Sequence, residues 1–151
     1  MTEDAPLQWS TPLTAVVALA VGGVALGAAG LVVSTEPAGR LLVSLAALGL
    51  LLTAASAGRQ RPRLAVDREA GRIVVSRLSG RRTYARSDIE RARIVRYPRL
   101  GRRVPMLEID VRTPDGTERL LIFGRWDLGT NPEDVFDALS VHRLVGPQPR
   151  Q

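Results

Sequence analysis

Two apolar runs constrain this chain more than any other feature. Leu13 to Val33 is a run of 21 residues without a charge, and Leu41 to Ala57 adds 17 more, also uncharged. A helix needs about 20 such residues to cross the hydrocarbon core of a bilayer, with about 17 as the working minimum. The residues between the runs, Ser34 to Arg40, include Pro37 and Gly39 and read as a turn. A connection that short makes the two segments antiparallel neighbours, so the expected arrangement is a transmembrane helical hairpin over 13–58.

A cleaved signal peptide fits poorly. Residues 1–12 carry Glu3 and Asp4 but no Arg, and the apolar core of a signal is only about 7–15 residues long. Within the first run, Gly23 and Gly27 form a G-x-x-x-G flanked by Gly22 and Gly30. Small residues let helix backbones approach closely in lipid. Ala46, Ala47 and Gly49 offer the matching surface on the second run. The expected use of this stripe is packing inside the hairpin, with a homo-oligomer as its second use. Neither run holds a charge, so no intramembrane relay or transport site is indicated and the pair reads as an anchor.

Charge supplies the orientation. All 21 basic residues are Arg, and 20 of them lie from Arg59 onward against 12 acids, a net +8 for that region. Arg59, Arg61, Arg63, Arg68 and Arg72 crowd the exit of the second run, whereas Arg40 stands alone in the connection. The positive-inside rule then puts both termini in the cytoplasm, at the plasma membrane. Residues 1–12 become a cytoplasmic tail with Trp9 as an interfacial anchor. A basic region beside a membrane suggests attraction to anionic lipid or another polyanion; plain solubility explains the same charge. The chain has no cysteine, which excludes disulfides, thiolate catalysis and cysteine-based metal sites.

From Arg63 the pattern changes to short β-type runs separated by turns. Leu64–Val66 and Ile73–Leu78 read as strands around the turn Asp67–Gly71, and Arg81–Tyr84 returns as a hairpin partner. Ser87-Asp88 is a turn or cap, and Ile89–Tyr97 is another strand. Pro98 to Arg103 reads as a loop. Leu107, Ile109 and Val111 alternate with Glu108, Asp110 and Arg112, one face buried and one wet. Pro114-Asp115-Gly116 is a turn, and Thr117–Phe123 a strand whose apolar end suggests burial on both faces. After Gly124–Gly129 the period becomes helical: Asn131 is the N-cap, Pro132 the first helical residue, and Val135, Phe136 and Leu139 the buried stripe. The helix should end near Arg143, and the residues from Pro147 form a disordered tail.

Pro62-Arg63-Leu64, Ser87-Asp88-Ile89, Arg102 to Glu108 and the stretch Phe123 to Gly129 through Pro132 to Val135 resemble the actinobacterial PH-domain membrane proteins, the family typified by low molecular weight protein antigen 6. Arg86 stands where that family has an aromatic residue. The resemblance covers nearly the whole chain. It implies an α+β membrane protein: a two-helix hairpin, then a PH-like antiparallel β-barrel or sandwich over 59–146 capped by one C-terminal helix. It implies no known activity and carries over no functional residues.

The candidate contacts are basic and aromatic. Arg96, Arg99, Arg102 and Arg103 offer planar donor forks suited to phosphate oxygens, against the plainer reading of a solvated loop. Arg125 and Trp126 form a candidate recognition patch, since Trp and Arg are frequent binding anchors; the alternative packs Trp126 at the strand–helix junction while Arg125 and Asp127 pair or cap. His142 is the one histidine, so a metal site lacks ligands. No phosphate loop, nucleophile elbow or zinc motif is present, so neither an enzyme nor a cofactor is expected. The expected role is membrane-anchored binding or scaffolding with a protein partner. The alternative is recognition of anionic lipid headgroups through Arg96–Arg103. Nucleic acid would rest on charge alone.

Overall fold

The first apolar run forms helix α1 (Leu13–Val33) and the second forms α2 (Pro37–Arg59) in the computed structural model, which describes residues 7–33 and 36–146. Pro37 is not a turn residue but the first residue of α2. Its fixed φ and missing N–H suit that place, so the helix starts four residues earlier than the apolar run. Ser34 and Thr35 of the expected turn, the acids Glu3 and Asp4, and the tail from Pro147 lie outside the described residues.

The two helices pack through glycines. A Cβ at Gly30 would lie 2.6 Å from Cγ1 of Val43, and one at Gly23 would lie 2.9 Å from the Leu51 side chain and 3.2 Å from the Ala47 carbonyl. At Gly27 the same test gives 3.6 Å to Ala47, an ordinary contact. Gly23 and Gly30 are therefore the positions that set the helix separation. Of the expected partners only Ala47 serves; Gly49 faces open space and Ala46 is exposed. Leu31, Val32, Leu42 and Leu52 point outward, more than half exposed.

The chain divides into two units, residues 11–61 and the remainder. The second unit draws on both sides of the hairpin in sequence. Strand β1 (Gln8–Trp9) pairs antiparallel with β2 (Leu64–Asp67), which pairs with β3 (Arg72–Arg77) and then β4 (Gly80–Ala85). Residues 7–9 are thus not a free tail. Arg63 N–H donates to the Trp9 carbonyl (2.9 Å), Val66 N–H donates to that of Leu7 (2.8 Å), and both Leu7 and Trp9 pack against the core.

A second antiparallel sheet contains β5 (Ile89–Arg99), β6 (Arg102–Arg112) and β7 (Glu118–Phe123) in that order. The expected loop at 98–103 is mostly strand: β5 and β6 continue to a two-residue turn, Leu100-Gly101, with φ of 46° and 76°. That pair of left-handed residues matches the twist of a tight hairpin. A one-turn 3₁₀ helix (Arg86–Asp88) joins the sheets, with Asp88 accepting from the Ala85 N–H at 2.9 Å.

Two helices follow the sheets rather than one. The segment expected as a loop after Phe123 holds α3 (Arg125–Leu128), its start fixed by Asp127 accepting from the Gly124 N–H at 3.1 Å. Helix α4 (Pro132–Val141) begins at the expected cap: Asn131 Oδ1 accepts from the Glu133 N–H at 3.3 Å. Val135, Phe136 and Leu139 are buried against Leu64, Ile73, Leu107, Ile109, Leu121 and Phe123 in one apolar core. Helix α4 closes with Arg143 left-handed (φ 54°), Arg143 N–H on Ser140 and Leu144 N–H on Leu139, a Schellman end. Leu144 and Val145 are buried behind it. Arg86, the departure from the family pattern, donates to the Arg143 carbonyl at 3.0 Å.

Candidate functional site

The register puts Arg93, Glu108 and Ile122 in one row on the outer face of the β5–β6–β7 sheet, with Arg91, Asp110 and Leu120 in the next. The parity expected for Glu108 holds, but its surroundings are not wet. Glu108 is 2% exposed, its Oε2 lies 2.7 Å from Arg93 Nη2, and Tyr97 donates its hydroxyl to Oε1. Burial pushes the Glu108 carboxyl up, but the hydrogen bonds from Tyr97 and Arg93 more than offset it, so it titrates below the ordinary range. The same hydrogen bond to Glu108 is the main reason the Arg93 and Tyr97 values rise. An ionised carboxylate saturated by two donors is a structural group and a poor base.

Where these rows reach β7 the outer face is apolar and open. Leu121 and Phe123 enter the core, whereas Leu120 and Ile122 are 47% and 41% exposed. The apolar end of β7 is therefore buried on one face only. This strand pairs with β6 alone, so one backbone edge has no strand partner among the described residues. A depression lined by Glu90, Asp110, Glu118 and Arg119 lies on the same sheet; its carboxylates are partly neutralised by Arg112, which pairs with Glu90 (2.9 Å) and Glu118.

The four arginines expected to act together divide. Arg99 and Arg102 flank the Leu100-Gly101 tip as a cross-strand pair, with Arg103 next to them, and all three are exposed. Leu100 at the tip is fully exposed. Arg96 instead pairs with Glu133 at the start of α4 (2.9 Å), and that contact holds the Glu133 carboxyl below its usual range. Arg99, Arg102 and Arg103 take part in no ion pair among the described residues.

Trp126 does not fill the strand–helix junction. It is 51% exposed, and Leu128 is the buried residue of α3. Asp127 caps the helix and pairs with Arg63 at 3.5 Å rather than with Arg125. Arg63 is a hub that residue patterns do not reveal, because its partners are remote in the chain. Its N–H reaches Trp9, its carbonyl accepts from Ser76 N–H (3.1 Å), and its Nη1 donates to the Ser76 carbonyl (3.2 Å). His142 is the exposed C-cap of α4. Among the described residues no cluster of three or more His, Asp or Glu could hold a metal ion.

Two antiparallel sheets, with seven strands among the described residues, followed by α3 and α4, invite comparison with the PH architecture. The profile of the bacterial PH domain matches residues 61–144. The chain belongs to the bacterial PH domain family. Two relatives in Mycobacterium tuberculosis, the uncharacterized proteins MT0013 (strain CDC 1551 / Oshkosh) and Rv0010c (strain ATCC 25618 / H37Rv), are each 36% identical over 138 residues. The alignment covers 91% of this chain and 94% of each relative, so the similarity extends through the apolar helices as well as the PH domain. No solved structure matches the chain. The PH domain match begins at residue 61 and so omits β1, which lies ahead of the hairpin.

Proposed function

We propose that this protein is a two-pass plasma-membrane anchor that displays its PH domain on the cytoplasmic face as a non-catalytic binding and scaffolding module for a protein partner. The observation that carries the reading is the way a binding-module fold is joined to two helices built on charge-free runs (13–33 and 41–57) whose apolar side chains are directed outward. Such surfaces are stable in lipid and costly in water. Because β1 and β2 are neighbours in one sheet, a hairpin that spans must return the chain to the side it left. The arginine excess after α2 favours the cytoplasmic side. The exposed Leu120 and Ile122 beside an open strand edge suit a partner that adds to the sheet. A photo-crosslinking residue at Ile122, placed in the full chain in cells, should give a discrete protein adduct, and the same residue at Glu69 should not. Adducts of equal yield at both positions, or none at Ile122, would end the scaffolding reading.

A second reading, recognition of anionic headgroups, is favoured by Arg99, Arg102 and Arg103 standing at one tip without ion-pair partners among the described residues. Replacing these three with Ser separates the two. Scaffolding leaves the Ile122 adduct intact; headgroup recognition loses lipid preference selectively.

A further inference from the structure

The β1–β4 sheet has two chemically different ends. Trp9 pairs with Leu64, Leu64 with Val75, and Arg77 with Gly80. The end where the chain departs after Ser10 and returns at Pro62 is therefore also the end where β3 turns into β4. Arg63 sits beside Ser76, so Pro62, one residue or about 3.3 Å further along, is level with Arg77. The turn at this end reads Arg77-Leu78-Ser79-Gly80-Arg81-Arg82, with Leu78 67% exposed and Arg81 and Arg82 exposed. The opposite end holds the β2–β3 turn with Asp67 and Glu69.

Arg63 brings a second element to the same end. Its guanidinium bonds Ser76, two residues before Leu78, and pairs with Asp127, the neighbour of Trp126. Helix α3, with Arg125 and Trp126 exposed, is thereby tied through Arg63 to the strands that meet at this end. Asp127, the acid that α3 brings there, is already matched by Arg63. Arg81, Arg82 and Arg125 join no ion pair among the described residues. This end thus combines an exposed Trp, an exposed Leu and unmatched guanidinium groups where the chain passes to the apolar helices. Trp favours the headgroup level of a bilayer, and Arg is drawn to anionic lipid surfaces.

We propose that this end of the PH domain docks on the anionic surface of the bilayer, with Leu78 and Trp126 entering the interface and Arg81, Arg82 and Arg125 held against lipid phosphates. The docking rests on the reading of α1 and α2 as membrane spans. It fixes the attitude of the domain, since Asp67 and Glu69 at the far end must then face the aqueous phase. The contact is distinct from the Arg99–Arg103 tip and requires no particular headgroup.

The test uses the full chain, which lacks cysteine, in vesicles of phosphatidylcholine alone or mixed with phosphatidylglycerol. Leu78→Cys or Glu69→Cys carries an environment-sensitive dye, and the lipids are brominated near the headgroup. Docking predicts quenching at position 78 and none at 69, stronger in the mixed vesicles. Arg81→Ser, Arg82→Ser and Arg125→Ser should each lower the docking equilibrium constant by about fivefold. Trp126, made the sole Trp by Trp9→Phe, should be quenched as well, which supplies a second readout independent of the dye. Flotation of the same samples after an alkaline wash separates the two ideas. Protein that floats without quenching at 78 and 126 overturns the docking and leaves the anchor standing, whereas protein that does not float overturns both.

Discussion

The PH domain recruits its first strand from ahead of the hairpin, and removing that strand should be costly. A soluble protein of residues 62–151 lacks β1. A second, in which Ser10 is joined to Arg63 through Asn-Gly, keeps residues 1–10 and closes the β1–β2 pair as a tight hairpin. The difference between them is what β1 contributes. The ladder bonds Arg63 N–H to Trp9 (2.9 Å) and Val66 N–H to Leu7 (2.8 Å) disappear, at about 1 kcal/mol net each. Trp9 is only partly buried, so its lost packing against the core is on the order of 1 kcal/mol, below the roughly 1.5–3 kcal/mol of a fully buried side chain. Together these give about 2–3 kcal/mol, or about 10–20 °C in Tm for a domain of this size. Thermal unfolding followed by circular dichroism measures it directly. Equal Tm values for the two proteins would refute the reasoning and return residues 7–9 to the status of a tail.

The Glu108 carboxylate titrates below its ordinary range, so its contribution to stability is full above the unfolded value of about 4.3 and is lost as pH falls through the folded value; the advantage of the wild type over Glu108→Gln in urea should hold at neutral pH and vanish in acid, and a constant difference would contradict the buried pair. Gly30→Leu places a side chain where Val43 already stands, which should cost about 1–3 kcal/mol by overpacking. Gly27→Cys with Ala47→Cys reports on this, because the 3.6 Å Cβ separation suits a disulfide; its yield should be high and should fall when Gly30→Leu is added. Leu139→Ala, at a fully buried position of α4, should cost about 2–5 kcal/mol, and Asn131→Ala about 1 kcal/mol through the lost N-cap; chemical denaturation ranks the two, and a reversed order would mean that α4 does not close the core.

What could be read from residues alone follows a physical divide. The helices were legible because an uncharged run of that length has few other uses, and the strands around Ile73 and Leu107 because alternation repeats several times. Strand β1 was not legible: two residues carry no period, and the reason they pair lies across the hairpin at Leu64. The single turn of α3 is held by the Asp127 cap and has no stripe of its own. Tight turns are likewise local events, and Leu100 adopts a left-handed conformation that its residue type disfavours, so 98–103 read as loop. At Glu108 alternation predicts the face correctly but not the burial, which depends on Tyr97 reaching across from β5. Leu120 and Ile122 show the converse, since an apolar run looks buried on both faces until the sheet is seen to have one side uncovered. The arginines divide for a similar reason: only the packing of α4 tells Arg96, bound to Glu133, from Arg99, Arg102 and Arg103.

The central claim is that the chain crosses a membrane twice and brings β1 and β2 back to one side. Single cysteines answer this most directly, because the natural chain has none to confuse the labelling. Gln8→Cys in β1, Ala38→Cys at the start of α2 and Thr117→Cys in the β6–β7 turn are each exposed. A membrane-impermeant maleimide added to intact cells should label Ala38→Cys at once and reach Gln8→Cys and Thr117→Cys only after lysis. Labelling of Gln8→Cys and Thr117→Cys on opposite sides, or of all three alike in intact cells, would contradict the account.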